Sequence, residues 1–249
     1  MKFAGKSDIG LIRRKNEDAY CVVDFVEAHN AVVLAVADGM GGHRAGDVAS
    51  KMSIDHVRDS ITKEPIDISS FDTIKKRLRN IVKQTNEIVY KRSITDPECF
   101  GMGTTLVIAV INNASAVLAH IGDSCAYHCS DKKMDKITTD HTYVEELVRM
   151  GTLTREEALN HPQRNYITKV IGCFQKVEAD YYNVEMAPND RILLCSDGLS
   201  NMVRDDDILK IMYSSDNPEK ICSKLISAAN KKGGADNTTA VVFLNSDEV

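Results

Sequence analysis

The apolar positions fall into two patterns. Short runs that are continuous or alternating, and rich in β-branched residues, occupy 19–23, 31–37, 104–111, 114–121, 191–196 and 238–244. They are too short for buried helices and too apolar for loops, so each predicts a strand. Asn112 and Asn113 separate two of these runs. Asparagine tolerates positive φ, and this predicts a β-hairpin over 104–121 with a two-residue turn. Elsewhere the period is helical. Phe71, Ile74, Leu78, Ile81, Val82, Ile88 and Val89 fall on one face of a helix from 71 to about 92, with Ser69 and Asp72 as its start. A second helix runs from 218 to about 232, capped by Asn217, opened by Pro218 and stopped by Gly233. A third follows His43, through Val48, Met52, Val57 and Ile61.

Thr142 with Glu145, and Thr154 with Glu157, have the spacing of capping boxes on either side of Gly151. Residues 140–170 therefore read as a small helical insert. Strand pairs occur without helices between them, which excludes a repeating β-α-β order and favours antiparallel sheets with helices packed outside: an α+β fold. No stretch reads as a linker, and the chain is expected to be a single domain over residues 1–249.

Composition narrows the function classes. Hydrophobic residues make up 43% and charged residues 27% of the chain, an ordinary globular balance. The longest apolar run is 31–37, far short of the roughly 20 residues of a membrane span, and the N-terminus lacks the apolar core of a signal peptide, so a cytoplasmic protein is expected. The 7 cysteines are scattered without a C-x-x-C pair, which points to buried apolar positions for most of them and not to a disulfide framework or a zinc site. A formal net charge of −5 lacks the basic footprint of a nucleic-acid binder and makes phosphate-rich partners awkward unless cations are recruited.

The chemistry-bearing pattern is the position of the aspartates. AVVLAVA runs into Asp38-Gly39, AVLAHI into Gly122-Asp123 and RILLCS into Asp197-Gly198, while Asp236-Asn237 leads into TTAVVFL. One Asp-Gly pair is ordinary turn chemistry. Repeated at several strand ends, the pattern places carboxylates on rigid mounts with glycine leaving room for a close approach. Carboxylates gathered without a basic partner repel one another and raise one another's pKa unless a cation lies among them. Oxygen donors without histidine or cysteine favour Mg²⁺ or Mn²⁺. Ahead of the first of these strands, RRKNED supplies Arg13, Arg14, Asn16, Glu17 and Asp18. It reads either as a solvated charged loop or as a site in which Arg13 grips a phosphoryl group while the acids orient water around a metal.

In order along the chain stand GLIRRKNEDA at 10–19, VADGMGGHRAGDVAS at 36–50, GMGTT at 101–105, HIGDS at 120–124, TTDHTYVEELVRMG at 138–151, HPQRN at 161–165, LCSDGLS at 194–200 and GGADNTTAVV at 233–242. With these motifs the chain resembles the type-2C metal-dependent protein phosphatases, the PPM family, in their short bacterial form. The resemblance implies a central β-sandwich of two mainly antiparallel sheets flanked by helix pairs, with the metal centre at one end and residues 140–170 as a mobile flap beside it. It further implies that Asp38 bridges two cations, that the Gly39 carbonyl binds one of them, and that Asp197 and Asp236 complete the shell of the other. Glu17 and Asp18 would act largely through water in the outer shell. Asp123 with Asp197 would hold a weaker third ion within reach of the Asn165 carbonyl. The implied reaction is hydrolysis of phosphoserine and phosphothreonine monoesters on proteins by a hydroxide shared between two cations, opposing serine/threonine kinases. The implied partners are phosphoproteins and a cognate kinase, for a monomeric enzyme.

The chain has Met40 where many members of that family carry a histidine after Asp-Gly. His43 is the nearby alternative as leaving-group acid, although a histidine at a helix start is commonly structural, and metal-bound water is the preferred proton source. His161 is expected to pack in the loop, and Thr104 and Thr105 to support the site from behind. A silent relative that only binds partners, or an enzyme acting on a phosphorylated metabolite, would carry much the same fold.

Overall fold

The computed structural model describes residues 1–25, 30–41 and 45–246. Two antiparallel sheets lie face to face. The first has the order β1 (Lys2–Asp8), β11 (Thr238–Leu244), β10 (Arg191–Cys195), β7 (Cys125–Ser130), β8 (Lys133–Lys136). The second runs β2 (Asp18–Phe25), β3 (Ala31–Met40), β5 (Leu106–Asn112), β6 (Ser115–Ile121), β9 (Asp180–Glu185), and the short β4 (Gly103–Thr104) also pairs with β3.

Strand β3 shows why its sequence is continuously apolar. Val32, Leu34 and Val36 face the other sheet and pack with Val107, Leu118, Ile192, Val241 and Phe243. Val33, Ala35 and Ala37 face the opposite way, onto α1 (Gly46–Lys63) and α2 (Phe71–Thr95). A strand buried on both faces has no polar side to present, so its hydrophobicity does not alternate. The outer face of the first sheet is covered by α6 (Asp205–Met212) and α7 (Pro218–Lys231) through Ile208, Met212, Ile221, Leu225 and Ala229. The order is thus helices, sheet, sheet, helices, the expected α+β sandwich. Among the described residues no helix is long and apolar enough to cross a membrane.

Several local expectations are corrected. The cap of α2 is Ser70, whose hydroxyl accepts from the Thr73 amide, one residue later than the Ser69 start, and Ile88 turns outward at 41% exposure. Asn112 and Asn113 do not adopt positive φ. Instead the Asn112 side-chain oxygen accepts from the amides of Ala114 and Ser115, closing an Asx turn. The two-residue positive-φ turn lies at Asp131 and Lys132, φ 47 and 59, between β7 and β8. The α7 start is as read: Asn217 accepts from Lys220 N and Pro218 opens the helix.

Residues 140–170 carry α3 (Tyr143–Arg149) and α4 (Arg155–Leu159). A reciprocal capping box forms at Thr154–Glu157, whereas Thr142 caps α3 by accepting from Glu145 N alone. The insert closes on itself where Thr142 bridges Ile167 and Tyr143 N donates to Tyr166 O.

Candidate metal centre

The strand ends converge at one end of the sandwich. Register places Asp18 of β2 directly opposite Asp38 of β3, so two carboxylates start from neighbouring backbones. Asp38 is fixed through its main chain: its amide donates to Thr105 Oγ1 at 2.8 Å, and its carbonyl accepts from Thr104 Oγ1 at 2.8 Å and Thr105 N at 2.9 Å. Next to it, Gly39 N donates to Glu17 O at 3.0 Å. A Cβ on Gly39 would run into the backbone carbonyls of Gly46 and, at 2.6 Å, Glu17. Only glycine lets α1 and the Glu17 segment close around this turn.

From the other sheet comes Asp197, the first residue of the short helix α5 (Asp197–Ser200), with Oδ2 accepting from Asn201 Nδ2 at 3.0 Å. Asp236 precedes β11, and its Oδ2 receives Arg13 Nη2 at 2.7 Å. Asn237 ties the N-terminal loop to the same place: its Oδ1 accepts from Glu17 N, and its Nδ2 donates to the carbonyls of Ile9 and Lys15. Asp123 follows Gly122 at the end of β6. A cavity of about 370 Å³ beneath the insert is lined by Asp123, Asp140, Val144, Arg164, Asn165 and Asp197, among others. The structure thus brings Arg13, Glu17, Asp18, Asp38, Gly39, Asp197 and Asp236 together, with Asp123 and Asn165 on the insert side. His43 lies outside the described residues. His161 packs in the loop as read, its ring near Tyr143 and its Nδ1 accepting from Gln163 N.

The electrostatics record mutual repulsion. Burial and the neighbouring Asp18, Asp197, Asp123 and Asp236 hold the Asp38 carboxyl well above the usual carboxylate range. Asp123 is raised in the same way by burial, Asp197 and Asp140. Burial pushes Asp197 up to about 6, helped by Asp236. Asp18 is pushed up to about 7 by burial, even though the hydroxyls of Ser196 and Thr239, each at 2.7 Å, donate to its Oδ2. Its Oδ1 is buried and has no hydrogen-bond partner. Glu17 is also raised, burial outweighing Arg13.

A set of oxygen donors that raise one another's pKa, with an unpartnered buried carboxylate oxygen among them, fits a hard divalent cation. The acids approach without closing into a cage: among the described residues no three acidic, histidine or cysteine side chains already stand at the spacing of a formed ion site. The positive charge beside Asp236 is the Arg13 guanidinium. The supporting hydroxyls of Ser196 and Thr239 and the Asn237 clamp were not singled out from sequence. Their only signal there is their place inside LCSDGLS and GGADNTTAVV.

Residues 13–232 match the sequence profile of the family described as Protein phosphatase 2C. The chain belongs to the protein phosphatase 2C family. Among its relatives, the serine/threonine phosphatase stp of Listeria monocytogenes serovar 1/2a is 37% identical over 237 residues, covering 95% of this chain and 93% of that one. A solved bacterial serine phosphatase superposes with a TM-score of 0.91 at 35% identity, covering both chains fully. The catalytic domain of the serine/threonine protein phosphatase PstP, solved in complex with 2 manganese ions, gives a TM-score of 0.82 at 35% identity over 97% of this chain and 96% of that one. Coverage of nearly the whole length at this identity places the chain in the phosphatase 2C sandwich fold.

Proposed function

We propose that this protein phosphatase 2C member, a protein serine/threonine phosphatase, hydrolyses phosphoserine and phosphothreonine monoesters with two divalent cations, Mg²⁺ or Mn²⁺, held by Asp38, the Gly39 carbonyl, Asp197 and Asp236. Asp123, Asp197 and the Asn165 carbonyl serve a weaker third. The observation that carries this reading is the convergence of half-buried carboxylates whose pKa values are raised by burial and by one another, with Asp18 Oδ1 left unpartnered. Bound there, divalent cations supply charge neutralisation on the phosphoryl oxygens and an activated water at neutral pH.

The residues of the chain position that chemistry. Thr104 and Thr105 fix the Asp38 backbone, so its carboxylate starts from a rigid mount. Ser196 and Thr239 orient Asp18, and Asn237 holds the loop that carries Glu17 and Arg13. Arg13 is exposed and stands against Asp236, where its planar guanidinium can take two phosphoryl oxygens of an incoming monoester. His43, the histidine nearest to Asp38 in sequence, is the candidate for protonating the leaving oxygen, and the reading does not require it. The substrates are phosphoproteins of the cytoplasm, in opposition to a cognate serine/threonine kinase; the net charge of −5 argues against nucleic acid, and the enzyme acts as a monomer. The test is phosphate release from a phosphothreonine peptide and from p-nitrophenyl phosphate with Mn²⁺ or with chelator. Metal-dependent turnover of both supports the reading, and turnover that persists in chelator would overturn it.

A further inference from the structure

The turn that carries Asp123 is gripped from both sides by histidines. On one side, His141 and Gly122 form a closed pair of hydrogen bonds: His141 N donates to Gly122 O at 2.8 Å, and Gly122 N donates to His141 Nδ1 at 3.0 Å. On the other, His120 Nε2 meets Ser124 O at 2.9 Å. The two rings stack, with centroids 4.8 Å apart and planes inclined by 23°. His120 is fully buried and its pKa is lowered to about 3 by burial, so it is neutral and donates through Nε2.

The contacts of His141 define its tautomer. Nδ1 accepts the Gly122 amide proton and therefore carries none, so in the neutral ring Nε2 bears the hydrogen. Asp180 Oδ2 and Lys169 Nζ each lie 3.2 Å from Nε2, so the carboxylate and the ammonium both face that nitrogen, and the carboxylate is the one placed to accept its hydrogen. Lys169 Nζ donates to the other oxygen of Asp180 at 3.0 Å. The chain of contacts is Lys169, Asp180, His141, Gly122, and it ends at the residue before Asp123. Gly122 cannot be replaced or shifted cheaply: its φ is +104, and a Cβ there would lie 2.6 Å from the Thr105 side chain. Thr105 is the residue whose hydroxyl fixes Asp38.

His141 is also where the insert begins and ends. Its carbonyl accepts from Thr168 N at 2.7 Å, and the next residue, Thr142, bridges Ile167. One side chain therefore joins the base of the insert to the carboxylate turn.

We propose that His141 is a positioning residue that, held by Asp180, couples the base of the 140–170 insert to Asp123 and so sets the affinity for the weakest divalent cation. The inference rests on the reading of Asp123 as a ligand of that ion. Its residues are polar where the bland alternative, a packing residue, would need only volume: the Nδ1 acceptor is matched to a backbone donor that would otherwise be buried without a partner.

The experiment compares His141→Asn, His141→Gln and His141→Ala with Asp123→Asn, reading Mn²⁺ binding by electron paramagnetic resonance titration and the Gly122 amide by hydrogen exchange in metal-free protein. Asparagine places its oxygen near the position of Nδ1, and glutamine places its polar group near Nε2. The expected result is a roughly 10- to 100-fold weaker last Mn²⁺ site in His141→Ala and His141→Gln, the usual size for a lost supporting contact. The same two variants lose Gly122 amide protection, and both properties return in His141→Asn. If all three His141 variants behave alike, or if Mn²⁺ affinity is unchanged while Asp123→Asn abolishes the weak site, the coupling is wrong. If Asp123→Asn itself leaves Mn²⁺ binding intact, the assignment of Asp123 fails and the inference falls with it.

Discussion

Replacing Asp18 with asparagine isolates the electrostatic strain of the site. Asp18 is raised from an ordinary carboxylate value to about 7, mainly by burial. An acid whose pKa is raised on folding favours the folded state while it is protonated, and that advantage is lost as pH rises through the folded pKa. At about 1.4 kcal/mol per pH unit, the three units between the unfolded and folded values amount to about 4 kcal/mol of destabilisation by neutral pH in metal-free protein. Asparagine keeps an oxygen for the Ser196 and Thr239 hydroxyls but cannot ionise. Relieving Asp38 of a neighbouring charge acts in the same direction. The assay is thermal unfolding of wild type and Asp18→Asn in chelator between pH 4 and pH 8. The variant should gain on the wild type steadily as pH rises, by roughly 10 °C in total for a chain of this length, and saturating Mn²⁺ should erase the gain. A difference that stays flat with pH, or that shrinks, would refute the reasoning.

Other perturbations separate the parts of the site. Arg13→Lys keeps the charge but loses the planar two-point grip, so kcat/KM should fall by roughly 10- to 100-fold, mostly through KM, with Mn²⁺ binding unchanged. Thr105→Val leaves the buried Asp38 amide without its acceptor and should lower stability by about 1–3 kcal/mol in denaturant unfolding, with a weaker metal site. Gly39→Ala forces backbone apart between α1 and the Glu17 segment; about 1–3 kcal/mol of stability and most of the metal affinity should be lost together.

How far the sequence revealed this structure depends on burial. The run 31–37 was readable because β3 is covered on both faces, and α7 because Asn217, Pro218 and Gly233 are strong local signals. The strands β1, β8 and β9 were not, since each lies at a sheet edge and carries polar residues on its open side, as in KFAGKSD and DYYNVE. Strand β7 is buried, but CAYHCS mixes histidine and serine among small residues and breaks the pattern. In the site, the acids were legible because Asp-Gly recurs at apolar strand ends. The hydroxyls that serve Asp18 were not, because Thr239 lies in the other sheet and Ser196 just past the end of one of its strands, and only the packing of the two sheets brings them to β2. The Arg13–Asp236 contact spans 223 positions, beyond any local rule.

The central claim is that the strand-end carboxylates work by holding divalent cations. The most direct measurement is phosphate release from a phosphothreonine peptide at pH 7.5 by wild type and Asp38→Asn, each with Mn²⁺ and with chelator. Turnover should appear only for wild type with Mn²⁺, and Asp38→Asn should fall by at least about 10³-fold, since metal charge stabilisation of the transition state is worth several kcal/mol. Equal rates with and without metal, or an Asp38→Asn variant as fast as wild type, would contradict the account.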